Sequence, residues 1–108
     1  MATTITEVPR ERFPAMIEAT AYFVVCEALA NVAKHAKAGT AQVSIRRLPG
    51  RLVVQVSDDG TGGVDGTRLA RGSGLAGLAD RVASAGGALR VDSPPGDGTR
   101  LEADIPCP

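Results

Sequence analysis

The sequence predicts an α+β fold: a two-layer α/β sandwich with a mixed, largely antiparallel sheet covered on one face by helices. Three observations carry this. An Ala-rich segment has apolar residues at helical spacing, two pairs of short alternating segments each flank a Pro-Gly turn, and a second helical segment separates the pairs. A chain of 108 residues fits one such domain, with material for one core.

Residues 1–13 are polar and patternless and read as a lead-in, so that the domain runs over 14–108. Pro14 suits the first turn of a helix, which the spacing extends to about Ala38, with Gly39 as its stop. Tyr22, Val25, Leu29, Val32, Ala33 and Ala36 are expected to face the core. Ala41, Val43 and Ile45 alternate with polar residues, as do Leu52, Val54 and Val56, and Pro49-Gly50 between them predicts a hairpin. Residues 58–74 are glycine-rich and aperiodic, a loop long enough to suggest function. Leu75, Leu78, Ala79, Val82 and Ala85 share one face of a second helix, closed by Gly86-Gly87. Leu89 and Val91 begin a second hairpin, which turns through residues 94–98 and returns along Leu101, Ala103 and Ile105.

Composition narrows the function. Twelve Lys plus Arg balance twelve Asp plus Glu, so a phosphate-backbone binder relying on bulk charge is disfavoured. Aromatics make up 3% of the chain and Trp is absent, which argues against base-stacking platforms; no nucleic-acid partner is expected. Cys26 and Cys107 form no Cys-x-x-Cys pair and receive no role, which suits a reducing cytosol. No basic-then-apolar leader opens the chain and no run reads as a membrane span, so the expectation is a cytoplasmic piece without direct membrane contact.

Two regions suggest chemistry. Glu27, Asn31 and Lys34 line one stripe of the first helix, with His35 beside it. Such a stripe is commonly a solvated face, but Asn has poor helix propensity, and the alternative is an oxygen-ligand site. Asn would serve a hard cation such as Mg²⁺, Glu would orient a water or nucleophile, and Lys would meet a phosphate. The second region begins with Asp58-Asp59-Gly60-Thr61-Gly62-Gly63, at the end of a predicted strand. A carboxylate there can accept from an exocyclic amine such as adenine N6, although by itself such a sequence is often only a turn.

Gly72-Ser73-Gly74-Leu75-Ala76-Gly77 matches G-x-G-x-x-G, and Asp92 follows at Rossmann spacing. That reading fails because Thr67-Arg68-Leu69-Ala70-Arg71 is too short and too charged for the buried strand it requires. A helix opening on glycines can still seat a phosphate on its free N–H groups. Lys34 and Lys37 are the only lysines, so a P-loop is absent. Gly96-Asp97-Gly98-Thr99 reads first as a hairpin turn.

In order and spacing these segments resemble the nucleotide-binding domain of sensor histidine kinases, within the gyrase, chaperone, kinase and mismatch-repair ATPase superfamily. Residues 27–36 resemble its N box, 58–62 its D-x-G-x-G box, 72–78 its second glycine box, and 96–101 its closing G-T segment. The stretch from Gly74 to Pro106 is especially similar to the subfamily whose response regulators carry helix-turn-helix domains. The resemblance implies a Bergerat-type fold holding ATP and Mg²⁺ between the first helix and a short lid at residues 63–71. It implies that Asn31 coordinates Mg²⁺, Glu27 orients or acts as a base, Lys34 and His35 approach the phosphates, and Asp58 reads adenine. Gly60 and Gly62 would line the purine, Gly72, Gly74 and Leu75 would cap the phosphates, and Thr99 would stand near Asp58. Arg68 and Arg71 would be solvated lid charges or reach the γ-phosphate.

The implied partners are a dimerisation domain bearing the phosphoacceptor histidine and, downstream, a response regulator. No such histidine hairpin precedes Pro14, so the expectation is the catalytic fragment of a larger kinase. The alternatives are a stand-alone serine kinase of the anti-sigma-factor type and a nucleotide-binding regulatory module without transfer.

Overall fold

A computed structural model describes residues 2–35, 39–60, 75–92 and 98–107, with side chains excepted at 2, 33–35 and 75. Its elements are β1 (Ala2–Glu7), α1 (Ala15–His35), β2 (Thr40–Leu48), β3 (Arg51–Asp58), α2 (Leu75–Ser84), β4 (Ala88–Asp92) and β5 (Thr99–Pro106). Five strands form one sheet in the order β1-β2-β3-β5-β4. β1 runs parallel to β2 and every other pair is antiparallel, so the sheet is mixed and largely antiparallel.

Both helices lie on one face of this sheet. Val43 of β2, Leu52, Val54 and Val56 of β3, and Leu101, Ala103 and Ile105 of β5 pack against Ile17, Ala21, Val24 and Ala28 of α1 and Leu78 and Val82 of α2. Alternate residues of a strand point to one side, so the period-2 pattern fixes which residues enter this core. The Pro49-Gly50 turn joins β2 to β3, with Gly50 at φ 75, a left-handed conformation that glycine adopts without strain.

Residues 2–7 correct the expected lead-in. Ala2, Thr3 and Thr4 pair with Thr40, Ala41 and Gln42 at the sheet edge. An edge strand exposed on both sides needs no apolar alternation, so period-2 reading finds nothing there.

The core face of α1 is also corrected. Tyr22 is 73% exposed, whereas Val24, Ala21 and Ala28 are buried; Val32 is buried as expected, Val25 and Leu29 pack half-buried at the core's edge, and Ala36 and the Ala33 side chain lie outside the described residues. The segment is apolar almost all round, and Ala15–Val32 is long and apolar enough to cross a membrane by composition alone, contrary to the expectation that no run is. Of that stretch 33% is buried, with Ile17, Ala21, Val24 and Ala28 packed on the sheet. Periodicity cannot choose a face in such a helix; the sheet does.

At the start of α1, Glu18 accepts both guanidinium contacts of Arg12, at 2.8 and 2.9 Å, and the Phe13 N–H at 3.1 Å. The Arg12 guanidinium, then the Phe13 N–H, lower the Glu18 pKa from 4.5 to about 2. α2 ends in a Schellman closure: Gly87 N–H donates to the Val82 carbonyl and Gly86 N–H to that of Ala83, with Gly86 at φ 82.

Candidate nucleotide site

The mouth of the site is where β3 ends. The β2–β3 register sets Ala41 opposite Asp58, and the β3–β5 register sets Thr99 opposite Asp58 from the other side. Asp58 thus stands in a central strand, flanked by backbone on both edges. Its Oδ1 accepts the N–H of Gly60 at 2.8 Å, closing an Asx turn. Its Oδ2 is buried and has no hydrogen-bond partner.

Asp59 is engaged differently. Its Oδ1 accepts the N–H groups of Gly39 and Thr40, both at 2.9 Å, and its own N–H donates to the Thr40 carbonyl at 3.3 Å. The Thr40 N–H, followed by the Thr40 hydroxyl, holds the Asp59 carboxyl below its ordinary range. Of two adjacent carboxylates, one is committed to the fold and the other keeps a buried oxygen open.

The wall above the mouth is α1. At about 100° per residue, Asn31 lies about 20° around the helix from Val24, and Glu27 about 20° from Thr20. Val24 is 0% and Thr20 2% exposed, so the polar stripe continues the sheet-facing side rather than opposing it. Neighbouring Val32 packs on Ala41, the register partner of Asp58. Asn31 Nδ2 is buried without a partner, and Glu27 is half-buried one turn earlier. These are the two buried side-chain polar atoms left unpaired among the described residues. An unpaired buried donor or acceptor costs about 1–3 kcal/mol, and proteins rarely tolerate it without a use.

Sequence reasoning assigned no role to two residues that shape this mouth. A Cβ on Gly98, which has φ +74, would sit 2.1 Å from the Asp58 carbonyl oxygen, so β5 approaches β3 closely only because that position is glycine. Asp59 is the other, and its clasp on Gly39 is visible only once β2 and β3 are paired. The one sequence signal was a doubled Asp directly after a strand.

Among the candidates, Glu27, Asn31, Asp58, Gly60 and Thr99 are described, and α1 with the β3/β5 end carries them all. The backbones of Lys34 and His35 continue α1 and Leu75 opens α2, but their side chains lie outside the description. Gly62, Gly72, Gly74 and the lid residues, including Arg68 and Arg71, lie outside the described residues. The described residues hold no group of three His, Cys, Asp or Glu side chains that could bind a metal unaided. A hollow of about 460 Å³ lies toward the other end of α1, lined by Ile5, Val8, Phe13, Tyr22 and Ile45 among others. Tyr22 is nine residues, about 14 Å along the axis, from Asn31, so this apolar hollow is a separate feature.

Residues 16–108 match the model of the family described as histidine kinase-, DNA gyrase B-, and HSP90-like ATPase. The chain belongs to this family. Within it, the chain is a histidine-kinase ATPase domain of the DesK/DegS-like type. It is 40% identical over 80 residues to the sensor histidine kinase DesK of Bacillus subtilis, which covers 74% of the chain and 21% of that protein. It is 39% identical over 97 residues to the histidine-protein kinase/phosphatase DegS of Brevibacillus brevis, covering 89% of the chain and 25% of the relative. The chain therefore spans about a quarter or less of these relatives. The histidine kinase domain of the blue-light activated kinase EL346 from Erythrobacter litoralis superposes with TM-score 0.83 at 24% identity, over 98% of this chain and 55% of that one. AdeS of Acinetobacter baumannii gives TM-score 0.81 at 14% identity over 98% and 54%, a likeness of fold. An ATPase domain of this family implies ATP binding.

Proposed function

We propose that this domain binds ATP with Mg²⁺ and donates the γ-phosphoryl group to a histidine on the dimerisation domain of its parent sensor kinase. The observation that carries the reading is the pair of unpartnered buried atoms, Asn31 Nδ2 and Asp58 Oδ2, on the two elements bearing the family's N box and D-x-G-x-G box. Asp58 Oδ2 is an acceptor that suits the adenine 6-amino group, while Gly60 and Gly62 let a flat ring approach the backbone. The Asn31 amide offers an N–H for a phosphate oxygen or, rotated, a carbonyl oxygen of the hard kind that Mg²⁺ prefers. Donor chemistry therefore fits the nucleotide and a Mg²⁺ sharing its ligands with phosphate and water. Bound there, Mg²⁺ would neutralise charge on the β- and γ-phosphates.

The remaining roles rest on the resemblance to the family's motifs. Glu27, one turn before Asn31, would orient the attacking imidazole or accept its proton; Lys34 and His35 would approach the phosphates; Gly72, Gly74 and Leu75 would cap them; Thr99, the register partner of Asp58, would support it. In the transfer, the bond from the γ-phosphorus to the bridging oxygen breaks as the bond to the imidazole nitrogen forms. The protein contributes mostly positioning and charge neutralisation. The parent protein would be a cytoplasmic or membrane-anchored sensor kinase passing the phosphoryl group to a response regulator.

Calorimetric titration with a non-hydrolysable ATP analogue tests the binding. The expected result is Mg²⁺-dependent affinity that Asn31→Ala weakens by roughly tenfold or more. Absence of binding at millimolar nucleotide overturns the reading. With radiolabelled ATP and a supplied dimerisation domain, the expected product is acid-labile phosphohistidine. An acid-stable phosphoserine on a regulatory protein would favour the serine kinase instead.

A further inference from the structure

We propose that Asp59 is a positioning residue for the nucleotide site: its carboxylate locks the end of β3 to the α1–β2 connection and so aims Asp58 at the purine. The inference rests on the nucleotide reading above. Asp58 is held on three sides. Its carboxylate is tethered forward by the Gly60 N–H, and its carbonyl oxygen occupies the space that a side chain at Gly98 would need. The third side is Asp59, whose Oδ1 takes two N–H groups from Gly39 and Thr40 while its own N–H extends the β2–β3 ladder by one bond.

Without that carboxylate two strand-start N–H groups lose their acceptor, and the 3.3 Å bond from the Asp59 N–H to the Thr40 carbonyl is left to hold this end of β3 to β2. A looser strand end widens the range of positions open to Asp58 Oδ2, the acceptor reserved for an exocyclic amine. The clasp joins the start of β2 to the end of the strand carrying Asp58. The end of β3 is thereby fixed by one side chain that itself touches no ligand. The depressed pKa of Asp59 agrees with a carboxylate kept ionised by those donors.

The test compares non-hydrolysable analogues of ATP and of inosine triphosphate, which lacks the 6-amino group, binding with Mg²⁺ to the whole chain and its variants. Asp59→Ala is expected to lower the adenine-over-hypoxanthine preference by about five- to tenfold. Asp59→Asn, which keeps the Oδ1 acceptor, is expected to stay within about twofold of wild type. Asp59→Glu, which shifts the carboxylate by one methylene and guards against a failure of the Ala variant to fold, should give an intermediate loss. Glu18→Gln, distant at the start of α1, controls for loss of a hydrogen-bonded carboxylate away from the site and should leave the preference unchanged. Preference retained in both Asp59→Ala and Asp59→Glu, in a wild type that has it, overturns this inference alone. A wild type that binds neither nucleotide overturns the nucleotide reading and this inference with it.

Discussion

The two ends of α1 treat polar groups in opposite ways. At its start, half-buried Glu18 directs both carboxylate oxygens to exposed Arg12 and the Phe13 N–H. Toward its end, where both residues are half-buried, Asn31 Nδ2 and Asp58 Oδ2 of β3 are buried atoms with no partner. Stability alone would arrange matters the other way round, because unpaired polar atoms cost most where they are buried. The contrast marks the second region as one whose partners arrive from outside, and the first as fold-closing chemistry.

Gly98 offers the most drastic way to disturb this contrast. Gly98→Ala forces a Cβ against the Asp58 carbonyl and imposes a left-handed φ on alanine, at a cost of about 2–4 kcal/mol. A fall of the melting temperature by about 10–20 °C is expected in thermal denaturation, with nucleotide binding impaired at temperatures where the variant remains folded. Next in size is Asp58→Ala. Loss of a charged acceptor should weaken adenine nucleotide binding by roughly 10- to 150-fold, while the stability cost is confined to the Oδ1 bond from the Gly60 N–H, about 1–2 kcal/mol, since Oδ2 has no partner within the protein. A large loss of stability without loss of affinity would mean that Asp58 belongs with Glu18 and not with the site.

Asn31→Leu sharpens the comparison in the opposite direction. Replacing an unpaired buried amide with an apolar side chain of better helix propensity should raise stability by about 1–2 kcal/mol and abolish Mg²⁺-dependent binding. A destabilised variant would show that the amide has a structural partner. The smallest effect belongs to Glu18→Gln. The Glu18 pKa falls from 4.5 to about 2 on folding, so its contribution is present above pH 4.5 and is lost as pH falls toward 2. Arg12 is exposed and Glu18 half-buried, so solvent screens the pair and the melting temperatures of wild type and variant should differ slightly at pH 7 and converge near pH 2.

Much of this architecture was legible in the residues themselves. The hairpin around Pro49-Gly50, the alternation of Leu52, Val54 and Val56, and the Gly86-Gly87 closure of α2 are local, and local chemistry suffices to read them. β1 was not legible because an exposed edge strand carries no burial pattern. Neither was the core side of α1, where Tyr22 and Val24 are equally plausible until the sheet selects one. The candidate site divides in the same manner. Motif order drew attention to Asn31 and Asp58, but the separate tasks of Asp58 and Asp59 depend on the N–H groups of residues 39 and 40, nearly twenty positions upstream.

Residue types and their spacing alone determined the two-layer class, the hairpins, the two helices and the polar groups available for chemistry, because each depends on near neighbours in the chain. Tertiary structure decided which side of α1 is buried, which of two adjacent carboxylates remains open and why Gly98 must lack a side chain. Those outcomes depend on strands meeting across long sequence separations, where backbone donors and packing surfaces from distant segments compete for the same space.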